Sequence, residues 1–312
     1  MAGESGKKSI FAAIGANLAI AITKFIAAWF TGSSAMLSEG IHSTVDTSNE
    51  LLLLLGIRLS KRPPDANHPF GHGRELYFWT LIVAILIFAV GGGMSVYEGI
   101  THLIHPHPIE NPTWNYIVLV LAIFFEGFSW FVAFGEFAPS IGEQSFFEAV
   151  RTSKDPTIFT ILYEDTAALL GLIVALLGII LGQIFNNPYF DGIASIVIGI
   201  ILAIVAVLLA YESRGLLIGE GADNHTVQHI RRLAIADSAV ADVLRLLTLY
   251  FGPHEILLNL DIQFHRHLSA EDIAQAIDRI ELSIRTQYPD IKYIFIEAQS
   301  ITLGRNQVLK LD

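Results

Sequence analysis

The chain has 312 residues, of which 53% are hydrophobic and only 16% are charged, and its net charge is −11 at pH 7. Soluble globular proteins carry about a quarter charged residues, so most of this chain is expected to lie in a membrane. The acidic balance and the absence of a basic patch argue against nucleic acid as a partner. There is no cysteine, which excludes disulfides and thiolate metal sites.

Six stretches approach or exceed the roughly 20 residues that a helix needs to cross a bilayer. They cover residues 9–30, 34–57, 74–103, 114–137, 157–183 and 190–213. Polar residues interrupt the second stretch, so we expect it to be weak in a hydropathy profile. The first stretch is long, contains Asn17 and Lys24, and lacks a clear cleavage site. We therefore expect a retained helix there and not a signal peptide.

The basic residues between these stretches lie on one side of the predicted membrane domain. They are Lys7, Lys8, Arg58, Lys61, Arg62, Arg74, Arg151, Lys154 and Arg214. The opposite connections, residues 31–33, 104–113 and 184–189, contain no Lys or Arg. By the positive-inside rule, both termini are expected to be cytoplasmic.

From about residue 222 the pattern becomes that of a soluble domain. It predicts helices at 226–236 and after Ser269, and strands at 240–250, 256–265 and 291–301. The second of these helices begins at a capping box, with Asp272 three residues after Ser269. The order αββαβ predicts an α+β domain near the lower size limit for a self-sufficient core, so we expect a dimer.

The expected fold class is therefore an α-helical membrane protein with a small C-terminal α+β cytoplasmic domain. Residues 1–214 form the predicted six-helix transmembrane domain. Residues 215–312 form the predicted cytoplasmic domain, through which two copies associate.

Two ionisable residues of the second predicted helix, His42 and Asp46, lie four residues apart and therefore on one face. Ionisable groups at membrane depth are costly and usually serve transport or proton movement. An imidazole and a carboxylate one turn apart provide half of a tetrahedral site for Zn²⁺. The alternative is that the two residues only satisfy polar neighbours in a helix bundle.

The loop after this helix gathers a carboxylate and two imidazoles, those of Asp65, His68 and His72, within eight residues. Its Pro and Gly residues predict turns and not a helix. Such a trio suits Zn²⁺. The alternative, of equal weight, is that the histidines cap the ends of neighbouring helices. A third group, His102, His105 and His107, follows the third predicted helix. It could collect metal, but surface histidines beside prolines are usually incidental.

The fifth predicted helix carries Glu164 and Asp165 side by side in an apolar span. Successive residues of a helix differ by about 100°, so the two carboxylates cannot face the same direction. We expect one to face a site and the other a partner or a proton path. Glu126 lies near the middle of the fourth predicted helix, between phenylalanines.

With these residues in view, the chain resembles the cation diffusion facilitator family of divalent-metal/proton antiporters. The resemblance rests on Ser38-Glu-Gly-Ile-His-Ser-Thr-Val-Asp46, on His68-Pro-Phe-Gly-His-Gly-Arg74 with Asp65 before it, and on the six-helix plus αββαβ plan. Within the family, Leu162-Tyr-Glu-Asp-Thr-Ala-Ala-Leu-Leu-Gly171 and His105-Pro-His-Pro-Ile-Glu110 resemble the divergent branch of the ninth human zinc transporter.

The resemblance implies a homodimer in which each protomer holds a metal site between the second and fifth helices. His42, Asp46 and Asp165 match the family's ligand positions, whereas the usual fourth position falls on Ile161, which cannot ligate. We favour Glu164 over Glu126 as the replacement. The alternative is that Glu164 pairs with Lys24 or a polar neighbour.

Other residues match a second site of the family. The resemblance implies that Asp65, His68 and His72 form the cytoplasmic metal site found in some members.

The function that these inferences favour is export of Zn²⁺ from the cytoplasm, coupled to inward protons, by alternating access. His42 is the expected proton exchanger, because metal binding requires neutral imidazole. Zn²⁺ is then a transported substrate, and no enzymatic activity is expected. Mn²⁺ or Fe²⁺ is the alternative substrate, because the carboxylate share is high. A non-transporting scaffold or metal sensor is the rival, suggested by Ile161. The expected location is the bacterial inner (plasma) membrane.

Overall fold

The computed structural model describes residues 2–109, 112–138 and 153–299. Its first part is helical, with α1 (Ala2–Thr31), α2 (Ser34–Ser60), α3 (Glu75–Leu86), a π-helical turn (Ile87–Gly92), α4 (Gly93–Ile104), α5 (Thr113–Phe137), α6 (Pro156–Ile184) and α7 (Tyr189–Ile218). α3, the π-helical turn and α4 follow one another without a break over residues 75–104. If these three elements are counted as one helix, each predicted membrane stretch corresponds to one helix. Glu110 and Arg151, which the sequence analysis uses, lie outside the described residues.

Four of these helices are long and apolar enough to cross a membrane. They are Glu75–Ile104, Thr113–Gly135, Phe159–Ile184 and Tyr189–Ile218. The described apolar part of α1, Asn17–Thr31, is shorter. Within the described residues, α2 is not among the four, because serines and ionisable side chains interrupt it, as the sequence predicts. That α1 and α2 also span the bilayer stays a prediction.

Local sequence sets the ends and the close approaches of these helices. The Asp155 side chain accepts a hydrogen bond from Thr157 N at 2.9 Å, and Pro156 occupies the first turn of α6, where its missing N–H costs nothing. Between α4 and α7, a Cβ at Gly99 would lie 2.6 Å from the Gly192 carbonyl oxygen. Only glycine lets the two backbones approach this closely, as is common between membrane helices.

The C-terminal part contains α8 (Asn224–Ile235), β1 (Val240–Gly252), β2 (Glu255–Phe264), α9 (Ala270–Gln287) and β3 (Ile291–Gln299). The predicted αββαβ order is confirmed. β1 pairs with β2 in antiparallel fashion, and β2 pairs with β3 in parallel fashion. The parallel pair requires a crossover, which α9 provides. The predicted end of β3 at residue 301 lies outside the described residues.

The capping box at the start of α9 is confirmed. Asp272 N donates to Ser269 Oγ at 3.2 Å, and Ser269 N donates to Asp272 Oδ2 at 2.9 Å. An isoleucine stripe of α9 packs on the sheet, with Ile280 and Ile284 fully buried and Ile273 partly buried. This apolar packing holds the small domain together.

The chain divides into two compact units. Residues 1–59 and 75–214 form one of them, which is helical, and residues 60–74 and 215–312 form the other. The loop between α2 and α3 therefore groups with the C-terminal domain and not with the helices that it connects.

Candidate metal sites

The helical unit encloses a cavity of about 340 Å³. Carboxylates from three helices line it: Asp46 and Glu50 from α2, Glu126 from α5, and Glu164 and Asp165 from α6. No basic side chain is among the described residues that line it. The cavity therefore favours a cation.

His42 lies next to this cavity and not in its wall. Its imidazole is buried, and Nδ1 lies 3.2 Å from Asp46 Oδ1. The i,i+4 spacing on α2 produces this approach, as the sequence predicts. A proton or a metal ion held by Asp46 is thus within reach of the imidazole.

The two acidic residues of α6 both line the cavity, but each points to a different neighbour. Asn49 Nδ2 on α2 donates a hydrogen bond to Glu164 Oε1 at 2.8 Å. Ser129 Oγ on α5 donates to Asp165 Oδ2 at 3.0 Å. The two carboxylates diverge, as expected of adjacent helical residues, and both line the cavity; which of them faces the transported ion stays a prediction. The cavity is wide enough to meet both.

Lys24 does not pair with Glu164. Its Nζ lies 3.1 Å from Glu39 Oε2 and donates to Ser43 Oγ at 2.7 Å. The pairing with Lys24 considered from the sequence is therefore wrong, whereas the other part of that alternative, a polar neighbour, corresponds to Asn49. Both Lys24 and Glu39 are fully buried, so the lysine neutralises an acid outside the cavity wall.

Sequence reasoning missed Glu50 as a cavity residue. Asn17 Nδ2 on α1 donates to Glu50 Oε1 at 2.6 Å. The i,i+4 spacing from Asp46 was the signal that could have found it. Glu126 is the less favoured candidate from sequence, yet α5 packs against α6 and brings this carboxylate to the same cavity.

The loop trio forms a more compact cluster. Within the described ranges, Asp65, His68 and His72 are the only group of at least three His, Asp or Glu residues whose donor atoms all lie within 4.8 Å of one another. His68 Nδ1 is 3.1 Å from Asp65 Oδ1, and His72 Nε2 is 3.5 Å from Asp65 Oδ2. Two imidazoles and a carboxylate at these distances can hold a tetrahedral divalent ion with water as the fourth ligand.

Backbone hydrogen bonds within the loop hold the carboxylate of Asp65 in place. The N–H groups of His68 and Asn67 donate to Asp65 Oδ1 at 2.7 and 2.8 Å. These bonds, led by that from His68, lower the pKa of Asp65 below its usual value. The carboxylate is thus held ionised and oriented for a cation.

Three other residues of the motif, Phe70, Gly73 and Arg74, anchor the loop. The Phe70 ring stacks on Phe251 of β1 at 4.8 Å and meets Tyr293 of β3 edge-on at 5.2 Å. The Arg74 guanidinium lies 4.9 Å from the centre of the Phe251 ring. A Cβ at Gly73 would clash with the Phe251 carbonyl oxygen, so glycine is required there. No local pattern in the sequence predicts this anchoring.

A helical unit with a carboxylate-lined cavity, together with a His/Asp cluster, is typical of membrane proteins that handle metal cations. The comparison with family models agrees, since residues 10–218 match the cation efflux transmembrane domain. The chain belongs to the cation efflux family, the cation diffusion facilitators that its motifs resemble, and such proteins are transporters and not enzymes.

Relatives support this assignment. The chain is 34% identical over 282 residues to the human proton-coupled zinc antiporter SLC30A9, mitochondrial, covering 88% of this chain and 50% of that protein. It is 28% identical over 280 residues to metal tolerance protein C4 of Arabidopsis thaliana, covering 89% and 61%. It is 25% identical over 279 residues to the cation-efflux pump FieF of Klebsiella pneumoniae, covering 87% and 88%.

The chain thus spans about half the length of SLC30A9. The predicted resemblance to the branch of the ninth human zinc transporter is confirmed.

Proposed function

We propose that this protein exports Zn²⁺ from the cytoplasm in exchange for protons, by alternating access. The observation that carries the proposal is the cavity of about 340 Å³ where carboxylates of α2, α5 and α6 converge beside buried His42. The name of the human relative, a proton-coupled zinc antiporter, supports both the ion and the coupling.

In this proposal His42, Asp46, Glu164 and Asp165 bind the transported ion. Ile161, which falls at the family's usual fourth position, lines the same cavity and offers no donor atom. Glu164 lies on the same helix and remains our choice for the fourth ligand. Glu126 is the second choice, since it lines the cavity from α5.

Proton exchange follows from the charge of the cavity. Five carboxylates around one small space repel one another when all are ionised and no cation is present. Departure of Zn²⁺ therefore favours proton uptake, and arrival of Zn²⁺ favours proton release. His42 is the proposed exchanger, because only its neutral form can ligate a metal.

The remaining parts of the proposal concern assembly and capture. The protein acts as a homodimer in the bacterial inner (plasma) membrane, with six spans and both termini in the cytoplasm. Asp65, His68 and His72 then bind Zn²⁺ on the cytoplasmic side before transport. The coverage of FieF along most of its length supports a bacterial location.

Mn²⁺ or Fe²⁺ is a second candidate substrate. The cavity has more carboxylates than the sequence suggests, because Glu50 and Glu126 also line it. Oxygen-rich sites suit Mn²⁺ better than nitrogen-rich sites do.

Transport by the purified protein in sealed vesicles tests the proposal. We expect Zn²⁺ uptake that increases with an opposing proton gradient and that Asp46→Asn abolishes, because charge is lost while shape is kept. Asp278→Asn, on the exposed face of α9, is the matched control. Equal transport rates in the wild type and Asp46→Asn would contradict the proposed ion site. Uptake of Mn²⁺ without uptake of Zn²⁺ would favour the second candidate substrate. No uptake of any ion would favour a scaffold or sensor.

The loop site has its own test in the same vesicles. Changing Asp65, His68 and His72 together to Ala is expected to remove one bound Zn²⁺ per protomer and to slow transport without stopping it. Complete loss of transport in a folded variant would instead make the loop part of the transport path.

A further inference from the structure

A second cavity in the helical unit, of about 470 Å³, lies at the start of α2. The end of α1, the start of α2, the end of α4 and the segment after α4 line it. Four of its residues carry groups that can bind a metal: Glu98, His102, His105 and His107. We call this space the outer cavity. None of these residues belongs to the carboxylate cavity or to the loop site.

His102 has the position of a prepared ligand. It is 7% exposed, and within the described residues its buried Nε2 makes no hydrogen bond. This atom lies 3.9 Å from Asp191 Oδ2. The distance is too long for a hydrogen bond, so the acid acts on this imidazole only through its charge.

Asp191 is itself held in place. Ser33 Oγ donates to its Oδ1 at 2.6 Å, and Ser34 Oγ donates to its Oδ2 at 2.9 Å. These bonds tie the start of α7 to the start of α2. The carboxylate that faces His102 is therefore fixed by the helical unit.

The other two histidines complete the set from a less buried segment. His105 and His107 are exposed, and both line the outer cavity. The rings of His102 and His107 have centroids 6.3 Å apart. Two imidazoles that share a tetrahedral Zn²⁺ have centroids about 5 Å apart, given Zn–N bonds of about 2.1 Å. The two rings are thus about 1 Å farther apart than in such a site.

Polar residues of α2 connect the two cavities. Ser34 lines the outer cavity and Asp46 lines the carboxylate cavity, about 18 Å apart along the helix at 1.5 Å per residue. Between them, Ser38 bonds to Ser195, Glu39 to Lys24, and His42 lies beside Asp46. Buried polar side chains thus follow one another along α2 from one cavity to the other.

We propose that Glu98, His102, His105 and His107 form a divalent-cation site in the outer cavity. The role of this site as a place where an exported ion is held before release rests on the proposed function. Binding of a divalent cation at this site does not depend on that function. Three imidazoles and one carboxylate favour Zn²⁺ over Mn²⁺.

The site is tested by modifying histidines with diethyl pyrocarbonate in the full-length protein in detergent, with and without Zn²⁺. Mass spectrometry measures how much each imidazole is modified. We expect Zn²⁺ to reduce modification of His105 and His107 in the wild type and equally in Asp46→Asn. His254, whose side chain is 76% exposed, is the control that Zn²⁺ should leave unchanged. Equal modification of His105 and His107 with and without Zn²⁺ overturns the proposal.

Equilibrium dialysis against Zn²⁺ adds a second measurement. The triple variant His102→Gln, His105→Gln, His107→Gln is expected to bind one Zn²⁺ fewer per protomer than the wild type, and unchanged stoichiometry contradicts the site. Should the triple variant fail to fold, the protection experiment on the wild type still decides. If Zn²⁺ protects His105 and His107 but the vesicles show no transport, the transport proposal fails and the outer site is supported. If the vesicles show transport but Zn²⁺ gives no protection, the outer site fails and the transport proposal is supported.

Discussion

Lys24 Nζ on α1 lies 3.1 Å from Glu39 Oε2 on α2, and both side chains are completely buried. Breaking such a pair costs more than the pair contributes, because one charge is left buried without a partner. The lysine also donates to Ser43, whose side chain lines the carboxylate cavity. This pair therefore fixes α1 against the part of α2 that carries the cavity.

Lys24→Met is expected to lower the free energy of unfolding by about 3–5 kcal/mol, because it leaves Glu39 uncompensated. The double variant Lys24→Met, Glu39→Leu should recover much of this loss. Thermal unfolding in detergent measures both, with Lys61→Met in the exposed loop as the control. A double variant less stable than Lys24→Met alone would contradict the pairing.

Glu164→Gln is expected to weaken Zn²⁺ binding at the carboxylate cavity at least about tenfold, or about 1.4 kcal/mol, because a neutral amide replaces a ligand. Titration is carried out in the variant with Ala at residues 65, 68 and 72, so that the loop does not contribute. The same exchange at exposed Glu271 on α9 should change nothing. An affinity within about threefold of the parent, or about 0.7 kcal/mol, would assign Glu164 to its bond with Asn49 alone.

Phe70→Ala is expected to weaken Zn²⁺ binding by the loop trio without changing any ligand. The ring lies between Phe251 and Tyr293, and each aromatic contact is worth about 0.5–1.5 kcal/mol. Without it, the loop loses the anchor that keeps Asp65 and the two histidines together. Zn²⁺ titration in the Asp46→Asn background measures the change. Phe128→Ala, at a ring that is 64% exposed on α5, is the matched control and should leave loop binding unchanged.

Asp237 links α8 to α9 and makes the stability of the C-terminal domain depend on pH. Arg279 Nε and Nη2 donate to its carboxylate at 2.8 and 3.0 Å, and these bonds lower the pKa of Asp237. A depressed folded-state pKa stabilises the protein above the unfolded value of about 3.9, and the contribution is lost as the pH falls through the folded value.

Asp237→Asn should therefore unfold at a lower temperature than the wild type at pH 7. The difference should narrow as the pH falls below about 4. Asp278→Asn, at an exposed position of α9, is the control. A difference that stays constant over the whole pH range would mean that the carboxylate charge contributes nothing.

The helices could be predicted from sequence because apolar length, prolines and charged loops define their ends. The carboxylate cavity could be predicted only in part. The approach of His42 and Asp46 follows from spacing within one helix, whereas Glu126 reaches the cavity because α5 packs against α6. Spacing along one helix cannot reveal which neighbouring helix packs against it.

The loop between α2 and α3 shows the same limit of prediction from sequence. Its three candidate ligands lie within eight residues of the chain, so their proximity is predicted by sequence alone. The partner of Phe70 is Phe251, which is 181 positions away in the chain. No local pattern signals that contact, and the aromatic residue of the motif therefore had no assigned role.

The polar character of α2 has a consequence for biogenesis. A helix with buried Ser, Glu, His and Asn side chains is poorly suited to leave the translocon alone, because each unpaired polar group is costly in lipid. Only Gly32 and Ser33 separate α2 from α1, and Gly32 has a positive φ of 69° that suits a tight turn. We expect the two helices to enter the bilayer together as a hairpin, with the lysine of one already neutralising the acid of the other.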